Sequence, residues 1–96
     1  MESPLPIAAD HPAYAGHFPG HPILPGVVIV AEVLAAIERD TGRAASSWRI
    51  DNVKFISPVT PGMPLRLLHD ADAKSVRFEV IGPSGPVAVG RLTTGA

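Results

Sequence analysis

From Val27 to Ile37 the chain reads VVIVAEVLAAI, eleven residues carrying one charge, Glu32. A helix that is apolar nearly all round is normally buried. Val27, Val28, Ile29, Val30, Val33, Leu34 and Ile37 are therefore read as core, with Val30, Leu34 and Ile37 nearly solvent-free. The helix is expected to start at Pro25 or Gly26 and to run to about Asp40, with Thr41-Gly42 as its stop, because glycine accepts the left-handed position beyond a helix end. From Trp48 onward the period changes to two. Trp48 to Ser57 alternates, with Val53 and Phe55 opposite Asn52 and Lys54, until Pro58 interrupts it and Thr60-Pro61-Gly62 turns the chain. Leu65 to Asp70 reads as the next strand and Asp70 to Ala73 as a turn. Ser75 to Ile81 then sets Val76, Phe78 and Val80 inward and Arg77 and Glu79 outward. Gly82-Pro83-Ser84-Gly85 makes a hairpin loop, and Pro86 to Thr94 returns as the last strand. Ahead of the helix, Leu5 to Ala9 fits a short strand, which Pro6 confines to a sheet edge.

The order is one strand, one long helix, then four antiparallel strands in a meander. A sheet wrapped around a central helix buries both, so the pattern predicts an α+β domain spanning residues 1–96. A domain this small has a thin stability margin. Only 18% of its residues are charged, which leaves apolar surface to cover and favours a homo-oligomer.

Between the first strand and the helix lies a loop rich in glycine and proline, GHFPGHPILPG, that carries His17 and His21. Proline fixes φ and glycine permits conformations that other residues avoid, so such a loop can hold a histidine in one place. Histidine is suited to take a proton near neutral pH. A helix N-terminus offers unpaired N–H groups to a developing negative charge. His17 stands nine residues before Gly26, so the two can face one cavity. The competing reading of His17 is a loop brace.

Several classes are set aside by composition. The net charge of −1, with no basic block, lacks the footprint of a nucleic-acid binder. There is no cysteine, which removes disulfides, thiol catalysis and thiolate metal sites and fits a cytoplasmic protein. The start, MESPLPIAAD, is not patterned as a signal peptide, and the apolar run is too short to insert across a membrane. His11, His17 and His21 lack the partners and helical spacing of a zinc site, so no metal is expected. His11 and His21 are read as surface or loop-bracing residues, and His69, in a strand far along the chain, carries no functional case.

The stretch HFPGHPILPGVVIV resembles the signature of the β-hydroxyacyl-acyl-carrier-protein dehydratases, with His17, Phe18, Pro19, Gly20, Pro22, Pro25 and Gly26 in register. IDNVKFISPVTPG continues the likeness more weakly. The resemblance implies a hot-dog fold, a helix wrapped by a curved antiparallel sheet, working as a dimer with sites at the subunit interface. It implies a β-hydroxyacyl thioester substrate, on acyl carrier protein or coenzyme A, and no cofactor. His17 would be the base and the Gly26 amide the carbonyl-binding donor, with Phe18 and Val27 beside the substrate. The apolar helix residues would also line an acyl slot. The family's acid stands fourteen residues after the histidine, which here is Ala31; the nearest carboxylate, Glu32, comes one residue later. One residue turns a side chain by about 100° around a helix. Glu32 is therefore either a displaced acid or a carboxylate at an interface edge or paired within the sheet. The alternative to an enzyme is a non-catalytic, thioester-binding subunit of a hot-dog heterodimer.

Overall fold

The computed structural model describes residues 2–7, 23–72 and 74–94. Its elements are β1 (Glu2–Pro4), α1 (Gly26–Thr41), a 3₁₀ turn at Ala45–Ser47, β2 (Trp48–Phe55), β3 (Arg66–Ala71), β4 (Ser75–Gly82) and β5 (Gly85–Thr94). The five strands form one sheet in the order β1-β3-β4-β5-β2, with every neighbouring pair antiparallel. One face of that sheet packs on α1 in a common apolar core, the hot-dog arrangement.

The helix is buried along one stripe rather than all round. Ile29, Val33, Ala36 and Ile37 are buried, spaced to repeat on one face. Val30 and Leu34 are only half-buried, contrary to expectation, and Val27 is 78% exposed. The sheet covers one side of the helix, leaving Val27, Ala31 and Ala35 on the uncovered side. The stop falls where expected: Gly42 sits at φ 75° and donates its N–H to the Glu38 carbonyl at 2.8 Å.

From the sheet, Leu67 and His69 of β3, Val76, Phe78 and Val80 of β4, and Ala88 and Leu92 of β5 close the core. Two expectations are corrected. The four later strands are not a simple meander, because β2 pairs with β5 at the far side of the sheet from β3. The connection between them holds Pro58, Pro61 and Pro64, which rule out a tight hairpin. Val59 and Leu65 are buried, and the Val59 carbonyl accepts from the Leu24 N–H at 2.9 Å. The connector is thus pinned beneath the helix start and carried across the sheet end.

The first strand is shifted. It occupies Glu2–Pro4, at an edge as expected but upstream of Leu5–Ala9, whose last two residues lie outside the described residues. Leu5 turns into the core and gives its N–H to the Leu65 carbonyl at 3.1 Å, and Pro6, lacking an N–H, ends the pairing.

His69, which carries no functional case in the sequence, has a structural place. It is 5% exposed on the helix-facing side of β3, and its Nε2 donates to Asp40 Oδ2 at 2.9 Å. That bond ties the last turn of α1 to the sheet. It also holds the Asp40 carboxyl below its ordinary range, outweighing the opposing effect of burial.

Candidate active site

The start of α1 is left open by its own sequence. Pro25 is the N-cap, at φ −60° and ψ 143°, and contributes no side-chain cap. Its carbonyl accepts from the N–H groups of Val28 at 3.0 Å and Ile29 at 3.3 Å. Neither the Gly26 nor the Val27 N–H donates to any acceptor among the described residues. Two oriented donors at the positive end of a helix are thereby available to an oxygen carrying partial negative charge.

These donors open onto an apolar cleft of about 630 Å³, walled by Leu24, Val27, Phe55, Ile56, Pro58 and Val59. Among the described residues its lining holds no ionisable side chain. In so apolar a setting a hydrogen bond to a developing oxyanion is stronger than it would be in water. The cleft is built from three segments: the turn into α1, the end of β2 and the connector after it. The Leu24–Val59 bond fixes the first segment to the third.

Gly26 and Phe55 define the narrowest contact. A Cβ built on Gly26 would lie 2.6 Å from the Phe55 Cζ and 2.9 and 3.0 Å from its Cε2 and Cε1. Only glycine lets this aromatic ring reach the helix backbone. Phe55 is nonetheless 49% exposed, since the rest of its ring faces the cleft.

Of the residues singled out from sequence, Gly26 and Val27 meet in this cleft, while His17 and Phe18 lie outside the described residues. Glu32 is half-buried, makes no hydrogen bond or ion pair among the described residues, and does not line the cleft. Six residues on from Gly26, it stands about 9 Å along the helix axis and about 120° around it. Ala31 is exposed on the uncovered side of the helix. Phe55 was legible only as a sheet residue. The signal for more was an aromatic at the end of an alternating strand, in a fold whose helix begins with a glycine. His11 and His21, the other loop histidines, also lie outside the described residues. Among the described residues no helix is long and apolar enough to cross a membrane.

Comparison with known proteins agrees with this geometry. Residues 1–91 match the model of the ApeI-like family, described as ApeI dehydratase. A 3-hydroxyacyl-[acyl-carrier-protein] dehydratase FabZ of Geobacillus sp. (strain WCH70) is 36% identical over 93 residues, covering 88% of this chain and 57% of the relative. The FabZ of Brucella ovis is 42% identical over 71 residues, 66% of this chain and 45% of that protein. The chain thus spans about half the length of the curated relatives it matches. Among solved structures, the dehydratase heterocomplex ApeI:P from Xenorhabdus doucetiae superposes with a TM-score of 0.77 at 24% identity, over 97% of this chain and 84% of that one. An uncharacterized protein from Erwinia carotovora subsp. atroseptica gives a TM-score of 0.71 at 27% identity, over 97% and 78%. By its matched length and its relatives, this hot-dog chain belongs to the ApeI-like dehydratase family.

Proposed function

We propose that the chain, acting as one hot-dog domain over residues 1–96, is a dehydratase of β-hydroxyacyl thioesters. It removes water to give the trans-2-enoyl thioester, in fatty-acid or related lipid or polyene synthesis in the cytoplasm. The substrate is carried by acyl carrier protein, as the names of the FabZ relatives suggest, or by coenzyme A. The observation that carries this reading is the uncapped start of α1, where Gly26 and Val27 line an apolar cleft nine and ten residues after His17 in the sequence.

In the proposed step the thioester carbonyl oxygen accepts from the Gly26 N–H. His17 takes a proton from the α-carbon, and the electron pair moves toward that oxygen as an enolate-like charge. The pair then returns to form the Cα–Cβ double bond while the Cβ–O bond breaks. The departing hydroxyl takes a proton from a carboxylic acid and leaves as water. Val27 and Phe18 are assigned to hold the acyl chain. No cofactor takes part in this scheme.

The acid is Glu32 or a carboxylate from a partner. Its distance from the cleft in the single chain, with Ala31 at the family's acid position, favours a site completed across a subunit interface. The free edge of β2 supplies the surface, with Ile50, Phe55 and Ile56 exposed along and just beyond it. We propose a dimer through this edge. A second copy is the simplest partner; a different hot-dog subunit is the alternative, and the heterocomplex of the Xenorhabdus relative gives it a precedent. The test is incubation of the purified chain with a β-hydroxyacyl carrier protein and with the coenzyme A analogue. Mass spectrometry should register loss of one water from at least one of them. Absence of that loss, alone and with a partner subunit, would refute the reading.

A further inference from the structure

The ring of Phe55 lines the cleft beside Gly26 and Val27. Its strand is paired on one side, Phe55 opposite Ala88, and the next residue, Ile56, gives its N–H to the Val87 carbonyl at 2.8 Å. Pro58 then ends any extension of the strand. The ring tip therefore rests on Gly26 because the backbone behind it is fixed.

We infer that Phe55 makes the site selective for acyl chains unbranched at the carbon next to the thioester carbonyl, an inference that rests on the dehydratase reading. A carbonyl oxygen accepting from the Gly26 N–H sits about 2.9 Å from that nitrogen, which is itself about 1.46 Å from the Gly26 Cα. The carbonyl's α-carbon must then lie within about 7 Å of the Cα that the ring abuts. Carbon atoms in contact need about 4 Å between centres. Beside the Gly26 Cα, the Phe55 ring takes up room that a branch on the substrate's α-carbon would compete for: a Cβ built on Gly26 would stand 2.6 Å from the Phe55 Cζ. A chain without the branch slides past the ring toward Ile56 and Val59, along the apolar wall of the cleft. Phe55 thus acts as a positioning and specificity residue, while the donors stay on the helix.

The experiment measures binding rather than turnover. Hexanoyl and 2-methylpentanoyl pantetheine amides are isomers of equal carbon count that cannot be dehydrated, and both are titrated calorimetrically against the chain. The wild type should bind the unbranched isomer at least about tenfold more tightly, the scale set by one misplaced methyl group in a tight pocket. Phe55→Ala should bring the two affinities within about twofold, by raising affinity for the branched isomer. Phe55→Leu should fall between, and it decides the matter if thermal melts find the alanine variant unfolded. A merely structural role would weaken both isomers alike. An unchanged ratio in the variants overturns the inference and leaves the dehydratase reading standing. Failure of the wild type to bind either isomer, alone and with a partner subunit, overturns both.

Discussion

Phe55 occupies the space that a side chain on Gly26 would need: a Cβ there would stand 2.6 Å from the ring's Cζ. The glycine at the start of α1 and the aromatic at the end of β2 are therefore one structural unit. Gly26→Ala should destabilise the fold by about 1–3 kcal/mol, the usual cost of overpacking. In a Phe55→Leu background that cost should largely vanish, because the obstacle is gone. Urea unfolding of the four proteins of this double-mutant cycle measures the coupling. Equal cost in both backgrounds would contradict the contact.

The bond between His69 and Asp40 should leave a pH signature. The Asp40 carboxyl is held below its ordinary value chiefly by its hydrogen bond to His69. A group whose folded pKa is depressed contributes stability that is complete above about pH 5 and lost as pH falls through the lowered value. Asp40→Asn should therefore cost about 1–3 kcal/mol at pH 7, from a buried donor losing its charged acceptor. The gap between wild type and variant should narrow steadily below about pH 4. Chemical denaturation across that range checks the sign; a gap independent of pH would exclude it.

A free β2 edge flanked by exposed Ile50 and Ile56 is a surface for pairing. Light scattering at micromolar concentration should give a dimer, and Ile50→Asp should shift it toward monomer while leaving the far-ultraviolet dichroism intact. A monomeric wild type would count against the proposed assembly, unless a second hot-dog chain restores it.

Much of this was legible in the residues. The helix limits, the turn at Pro83-Ser84 and the inward set Val76, Phe78 and Val80 all follow from local periodicity and from proline and glycine chemistry. Position in the sheet did not. Nothing local to β2 tells it to join β5 rather than β3; that choice rests on Val59 and Leu65 anchoring the connector, a long-range packing effect. Half-burial of Val30 and Leu34 was missed for a related reason. An apolar helix announces that it will be covered but not whether its own sheet or another subunit covers it. The partner of His69 was not legible because a single histidine in a strand has no pattern, and Asp40 lies on another element. At the site, Gly26 was found through its motif, whereas Phe55 needed the fold that brings β2 over the helix start.

Moving the carboxylate tests how the site is completed. Ala31→Asp restores the position that the family resemblance assigns to the acid, and it should create or raise activity if the chain otherwise has only half of a site. Glu32→Gln should lower the rate about a hundredfold if Glu32 is the acid, and should change little if a partner supplies it. Rates of both variants, with and without a second hot-dog subunit, separate the two arrangements.

The account stands most directly on His17 as the base. The measurement is hydration of a trans-2-enoyl thioester, followed by loss of its ultraviolet absorbance, for the wild type and His17→Ala in whichever dimer is active. The expected result is a wild-type rate that falls by about a hundredfold or more in the variant, the scale of losing a general base. Wild-type activity that survives His17→Ala undiminished would contradict it.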